Sequence, residues 1–280
     1  MKGSEQGDRW LVLEPGRIEK QYWQDLWRYR ELFLILAWRD ITVHYKQTVI
    51  GVAWTLIRPL LTMVVFTVIF GKLAKLPTEG SAPYAILVFA AMLPWQFFAS
   101  ALTNCSESLI ANSNLLTKVY FPRLIVPVAA VITSCVDFLI SFVILVVLML
   151  WFQWWPSWRL LTLPLWVAVA FAVSMGAGLW LASLNVQYRD FRYAVPFIVQ
   201  LGLYISPVGF SSAIVPAQWQ LLYALNPMVG VIEGFRWAIL GKASALNPAG
   251  FWLSMAVVAL LALSGVRQFR SMEKRFADVI

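Results

Sequence analysis

Charged side chains are scarce in this chain: Asp, Glu, Lys and Arg make up 13% of its 280 residues. A soluble domain of that length needs charge over most of its surface, so an ordinary water-soluble fold is excluded. Histidine occurs once, as His44, which rules out a histidine-based metal cluster and leaves that residue as an interfacial group. The two cysteines, Cys105 and Cys135, fall in or near apolar runs without metal-type spacing and read as small buried hydrophobes. No Gly-x-Ser-x-Gly elbow, His-Glu-x-x-His pair or metal-spaced Cys/His cluster occurs, so no catalytic residue is assigned. A phosphate loop is also missing, because Gly241-Lys242 is followed by Ala243 and has no glycine at the required distance before it. Energy for uphill transport would therefore come from a gradient or from another polypeptide.

What the chain has in quantity is apolar sequence: 60% of residues are hydrophobic and 15 are Trp. Runs of about 20 apolar residues, long enough to cross ~30 Å of hydrocarbon, recur along its length. This is the composition of an all-α integral membrane protein. The net charge of +8 does not point to nucleic acid, since most of the cations flank apolar segments and suit a membrane surface.

Met1 to Arg30 mixes Glu5, Asp8, Glu14, Glu19 and Asp25 with basic residues and has no apolar core. No cleavable signal is visible there, and the N-terminus is expected to stay cytoplasmic. Residues 1–24 form an extension without an assigned role. Residues 25–48 contain a seven-residue apolar run, Leu32 to Trp38, bracketed by Arg28, Arg30, Glu31, Arg39, Asp40 and Lys46. Seven residues cannot span, and helical spacing spreads them around the circumference. The mixture of Trp, Tyr, Lys and Arg suits the headgroup layer, so an interfacial helix is expected.

Six spans follow within residues 49–266. The first, 49–71, carries Arg58 before Pro59, and a charge at that depth must snorkel, pair or face water. The second is 84–103. The third, 124–152, holds Asp137, which reads as a proton relay, a counter-ion to Arg58 or a neutral group hydrogen-bonded at a helix contact. The fourth, 160–184, is uncharged and has small residues four apart in two rows, Ala168-Ala172-Gly176 and Ala170-Ser174-Gly178-Ala182. Two of its faces can approach neighbours closely, which predicts a central position. The fifth, 194–210, ends at Ser206-Pro207, and the last is 248–266. Between them, residues 211–245 are apolar but cut by Pro216, Asn226-Pro227, Glu233 and Arg236. That pattern predicts a pair of short re-entrant helices lining an outer mouth, since irregular backbone at membrane depth needs protein or a wet cavity around it. Of 22 Lys and Arg, sixteen fall on the side of the termini, including the tail 267–280, and five on the other. Both ends are thus expected to be cytoplasmic. Hydropathy shows no inverted repeat, which gives a gradient-driven secondary transporter little support.

Between the second and third spans lies a polar and basic island within residues 109–123, reading Asn112-Ser-Asn114-Leu115-Leu116-Thr-Lys118-Val-Tyr120-Phe121-Pro122-Arg123. It is too short to fold as a domain. Two readings fit: a solvated loop obeying the positive-inside bias, or a short helix, stopped by Pro122, that lies across the surface and docks into a partner.

Several stretches together resemble the membrane subunit of ABC-2 type exporters, in the branch that moves O-antigen and other surface polysaccharides. They are Arg39-Asp40 to Tyr45-Lys46 with Gly51-x-x-Trp54 and Pro59, Leu115-Leu116-x-Lys118-x-x-Phe121-Pro122-Arg123, Asn185-Val186-x-Tyr188-Arg189-Asp190-x-Arg192, Pro196-Phe197, Ser206-Pro207, and Asn226-Pro227-Met228 with Phe235-Arg236. The resemblance covers about residues 25–270. It implies a homodimer in the bacterial inner membrane with the pore at its interface, two copies of a separate ABC ATPase holding ATP and Mg, and a lipid-linked glycan as cargo. It makes Asn114, Leu115, Leu116, Lys118, Tyr120, Phe121, Pro122 and Arg123 a coupling helix and puts Arg28, Arg39, Asp40, Tyr45 and Lys46 on an interface helix beside the ATPase. The re-entrant pair, with Pro207, Asn226, Pro227, Glu233 and Arg236, would be the outer gate. Aromatic faces slide along pyranose rings without fixing one hydrogen-bond register, so Trp95, Phe98 and Tyr204 are channel candidates, and Arg58 is a candidate for meeting a pyrophosphate. Exporters of teichoic acid, lipid or drugs share the same features.

Overall fold

The computed structural model describes residues 19–46, 49–76, 82–119, 121–188, 190–241 and 247–273, and among these the secondary structure is helical, without strands. Two helices, α1 (Glu19–Arg28) and α2 (Arg30–Lys46), precede the membrane-crossing part. They are nearly continuous, because Tyr29 and Phe33 keep their backbone bonds to Asp25 and Tyr29. Only Leu36 and Ala37 of α2 are buried, whereas Trp27 and Trp38 are 71% and 72% exposed. As the spacing indicates, the apolar side chains do not form one stripe.

Among the described residues, five stretches are long and apolar enough to cross a membrane: Trp54–Leu73, Tyr84–Ala111, Ile125–Trp151, Trp158–Gln187 and Pro248–Glu273. The first is α3 (Val49–Phe66), extended by a π-helical turn, Thr67–Leu73. The others are α4 (Tyr84–Ala111), α6 (Ile125–Trp151), α7 (Leu163–Gln187, preceded by a 3-10 turn at Trp158–Thr162) and α11 (Pro248–Glu273). Helix α5 (Ser113–Lys118) joins α4 to α6. A shorter apolar helix, α8 (Phe191–Ile205), follows α7. At ~1.5 Å per residue it is about 22 Å long, less than a full hydrocarbon thickness.

The central helix is α4 rather than the expected fourth span. Ile86 to Leu93 are at most 2% exposed, and α4 is apolar on every side, which suits a helix enclosed all round. It packs mainly against α6 and α7. The small residues of α7 do set close contacts on two faces. A Cβ placed on Gly178 would lie 2.7 Å from Cys105 of α4, and one on Gly176 would lie 2.6 Å from the α11 backbone at Leu261. Helix α7 is thus the second layer, pressed between α4 and α11.

Residues 211–241 differ from two matched short helices. Turns at Ser212–Ile214 and Ala217–Trp219 lead to a single helical turn, α9 (Gln220–Tyr223), and only then to a real helix, α10 (Pro227–Leu240). Pro216 at the start of the second turn lacks a donor for longer helix, and Pro227 takes the first position of α10, where its missing N–H costs nothing. Helix α10 is buried on nearly all sides by α4, α7 and α11.

Candidate functional site

The polar island at 112–123, here termed the handle, is built where α4 stops. Asn112 closes α4 by donating from Nδ2 to the Ser108 carbonyl at 2.9 Å, and its Oδ1 accepts from Arg39 Nη2 at 2.7 Å. Arg39 also holds Asp40 at 2.7 Å, so two residues placed on the interface helix are tied to the root of the handle. The handle helix α5 ends at Lys118, earlier than a stop at Pro122 implies, because Val119 already adopts extended backbone.

Its side chains divide sharply. Leu116, Phe121 and Pro122 turn into the subunit's own core, and Leu115 and Arg123 are half-buried. Asn114, Thr117, Lys118 and Val119 point outward. Tyr120 lies outside the described residues. The apolar members of the expected coupling set therefore anchor the handle, and the polar members are what it presents. Arg123 is turned toward the end of α11, its Nη1 donating to the Glu273 carbonyl at 3.3 Å.

Of the remaining residues expected on an interface helix, Arg28 and Lys46 are exposed. Tyr45 donates a hydrogen bond to Asp137 Oδ1, with His44 Nε2 3.8 Å from the same oxygen. Asp137 thus meets α2, and its neighbours are not those of a counter-ion to Arg58.

At the far end, away from the handle, a buried polar cluster joins the loop after α8 to α10. Glu233 and Arg236, each 1% exposed, approach to 3.7 Å. Ser212 donates to Glu233 Oε1 at 2.6 Å, and Arg236 Nη2 reaches the Val208 carbonyl at 3.5 Å. Pro207 is buried beside them, and Tyr84 of α4 donates to the Gly209 carbonyl. Asn226 caps α10 by accepting from the Met228 N–H at 3.0 Å, while its Nδ2 donates to Ser206 Oγ at 2.9 Å. Ser254 of α11 accepts from the Gly230 N–H at 3.1 Å. Helix α10 reaches deep, since Phe235 meets Phe138, the neighbour of Asp137, edge to face at 6.1 Å. The structure brings all five expected gate residues into one region.

The channel candidates split into a buried pair and two exposed residues. Trp95 and Phe98 are 5% and 9% exposed, their rings 5.5 Å apart inside the subunit, with Trp95 pressed against Gly202 of α8. Tyr204 is 61% exposed on α8, and Arg58 is exposed on α3.

Two groups of long-range contacts escaped the sequence. Arg159 donates to the carbonyl of Gly241, a left-handed C-cap at φ 71°, and lies 5.1 Å over the Trp237 ring. A glycine just past an apolar helix signals such a cap, but not which cation meets it. Glu273 meets both Tyr22 and Arg123, its Oε1 2.9 Å from the Arg123 backbone nitrogen. Burial and the neighbouring carboxylate push the Tyr22 hydroxyl well above its ordinary pKa, so it serves as a donor.

Comparison with known proteins adds a family. The model for "ABC-2 type transporter" matches residues 31–240. The O-antigen export system permease protein RfbA of Myxococcus xanthus is 26% identical over 261 residues, 92% of this chain and 98% of that one. A Klebsiella pneumoniae protein of the same description is 25% identical, covering 89% of this chain and 95% of that one. The polysialic acid transport protein KpsM of Escherichia coli is 21% identical over 84% of this chain and 91% of its own.

Proposed function

The chain belongs to the ABC-2 type transporter family, and from that premise we propose that it is the membrane-spanning permease subunit of an ATP-driven exporter of a lipid-linked O-antigen or other surface polysaccharide. Likeness to O-antigen export permeases across nearly their whole length carries the choice of cargo. The reading places the chain in the bacterial inner membrane as a homodimer, with two ABC ATPase subunits, holding ATP and Mg, beneath it. Counting α8 as a sixth crossing puts both termini on the cytoplasmic side, in keeping with the charge asymmetry.

ATP-driven closure of the partner subunits moves the handle through its outward residues, Asn114 and Lys118. The long helices α4 and α6, continuous with the handle at either end, carry that displacement across the membrane. Helix α10 acts as a re-entrant outer gate, a reading supported by its contact with Phe138 in the middle of α6. Exposed Arg58 and Tyr204 face the cargo path at the dimer interface, where a guanidinium suits a pyrophosphate and a phenol ring suits a sugar face.

The experiment is purification of the chain with an ABC ATPase from the same gene neighbourhood, followed by reconstitution. ATP turnover should depend on this chain and rise with a lipid-linked glycan. Turnover or transport by the chain alone, without a companion subunit, would overturn the reading.

A further inference from the structure

The end of α11 lies against the exit of the handle, and the scheme above does not use it. Arg123 and Leu124 precede α6, where the first N–H groups of a helix have no partners within it. Leu124 holds the capping position and offers no side-chain acceptor. Ile125 and Val126 donate locally to the Pro122 and Arg123 carbonyls, and the acceptors for the two N–H groups before them come from distant parts of the chain. The Arg123 N–H donates to Glu273 Oε1 at 2.9 Å, and the Leu124 N–H meets the Tyr22 hydroxyl. Tyr22 donates in turn to the same carboxylate oxygen at 3.4 Å, and Arg270 lies 4.8 Å over its ring. A carboxylate at the positive end of the α6 dipole is favourably placed, and its bond to the backbone is charge-assisted. Phe269, one turn earlier in α11, is fully buried, so the end of α11 is seated rather than loose.

We propose that Glu273 is a positioning residue through which displacement of the handle reaches the last span. The inference rests on the permease reading, in which the handle is what the ATPase moves. Helices α4 and α6 follow the handle because they are covalently continuous with it. Helix α11 has no such tie, and Glu273 supplies one. From there the path runs along α11 to Ser254, whose hydroxyl accepts from the Gly230 N–H at the start of α10. One carboxylate thus couples the push at one face to the helix that closes the other.

The test uses the intact permease–ATPase complex reconstituted in vesicles with a lipid-linked glycan. Glu273→Ala, Glu273→Gln and Tyr22→Phe are compared for complex yield, thermal stability, ATP turnover and glycan moved per ATP. Glu273→Ala should keep yield and turnover within about twofold while glycan moved per ATP falls about tenfold, the scale of ordinary coupling between sites. Glu273→Gln retains an acceptor and should recover most of that loss, and Tyr22→Phe should show a smaller one. Unchanged glycan per ATP in Glu273→Ala overturns the proposal. So does a parallel fall of yield, stability and turnover in both Glu273 variants, which marks a purely structural cap. A wild-type chain that forms no ATPase complex refutes the permease reading itself, and the coupling role with it.

Discussion

Tyr45, at the end of α2, donates its hydroxyl to Asp137 in the middle of α6, and this bond pins the N-terminal helix pair to a membrane-crossing helix. A carboxylate at such depth costs at least about 2.5 kcal/mol on insertion scales unless it is partnered, and here both Tyr45 and His44 face it. The arrangement fits a helix contact better than a proton path. Asp137→Asn, which keeps an acceptor for Tyr45, should therefore leave export intact. Tyr45→Phe should lower stability by about 1 kcal/mol, read by thermal unfolding in detergent. A folded Asp137→Asn protein that exports nothing would establish a proton relay instead.

Glu233 and Arg236 are enclosed with Ser212 and the Val208 carbonyl. Removing one partner of a buried pair leaves a desolvated charge, which costs about 3–5 kcal/mol, whereas replacing both by apolar groups of similar size is often neutral. Glu233→Ala should strongly reduce the amount of folded protein, and the double change of Glu233→Met with Arg236→Met should restore much of it. Thermal midpoints of the singles and the double check this, and simple additivity would show that the two charges are independent.

Much of the fold was legible because hydropathy reports length and polarity directly. The segments 84–111, 125–151 and 248–273 appear with starts within a residue or so, since each begins at Pro83-Tyr84, after Arg123 or at Pro248. Their ends ran long where the sequence stays helical beyond the apolar part, as in Thr103 to Ala111. The central position was assigned to α7 because small residues mark close contacts, yet enclosure of α4 depends on how many neighbours surround it, which no single segment encodes. The handle was visible as a polar island, and its outward face was not, because Leu115-Leu116 and Phe121 look equally suited to a partner or to the core. Long-range pairs such as Arg123 with Glu273 have no local signature at all.

The division of side chains on the handle lets the proposed docking role be tested apart from folding. Lys118→Glu changes an exposed cation and should weaken recovery of the ATPase in co-purification while the chain keeps its thermal stability. Leu116→Ala removes a buried side chain and should cost about 2–5 kcal/mol without acting on docking directly. Arg123→Glu combines both effects, since its guanidinium also reaches the Glu273 carbonyl. Full recovery of the ATPase with Lys118→Glu would remove the handle from the docking surface.

Arg58 and Trp95 were both set in the channel, and their surroundings now predict opposite behaviour. Trp95 is packed against Phe98 and Gly202 inside the subunit, so Trp95→Ala should destabilise the chain by about 3–5 kcal/mol and lower export in proportion to folded protein. Arg58 is exposed on α3, where the Thr62 hydroxyl donates to its backbone carbonyl. Arg58→Ala should leave folding unchanged and, if the proposed place of Arg58 beside the cargo path holds, reduce export at equal protein level, because its charge would then serve an anionic carrier rather than the fold. Arg58→Lys keeps the charge but loses the planar fork, so it should recover only part of the activity. Surface polysaccharide measured against membrane-inserted protein decides the matter, and wild-type export by Arg58→Ala would take this residue out of the path.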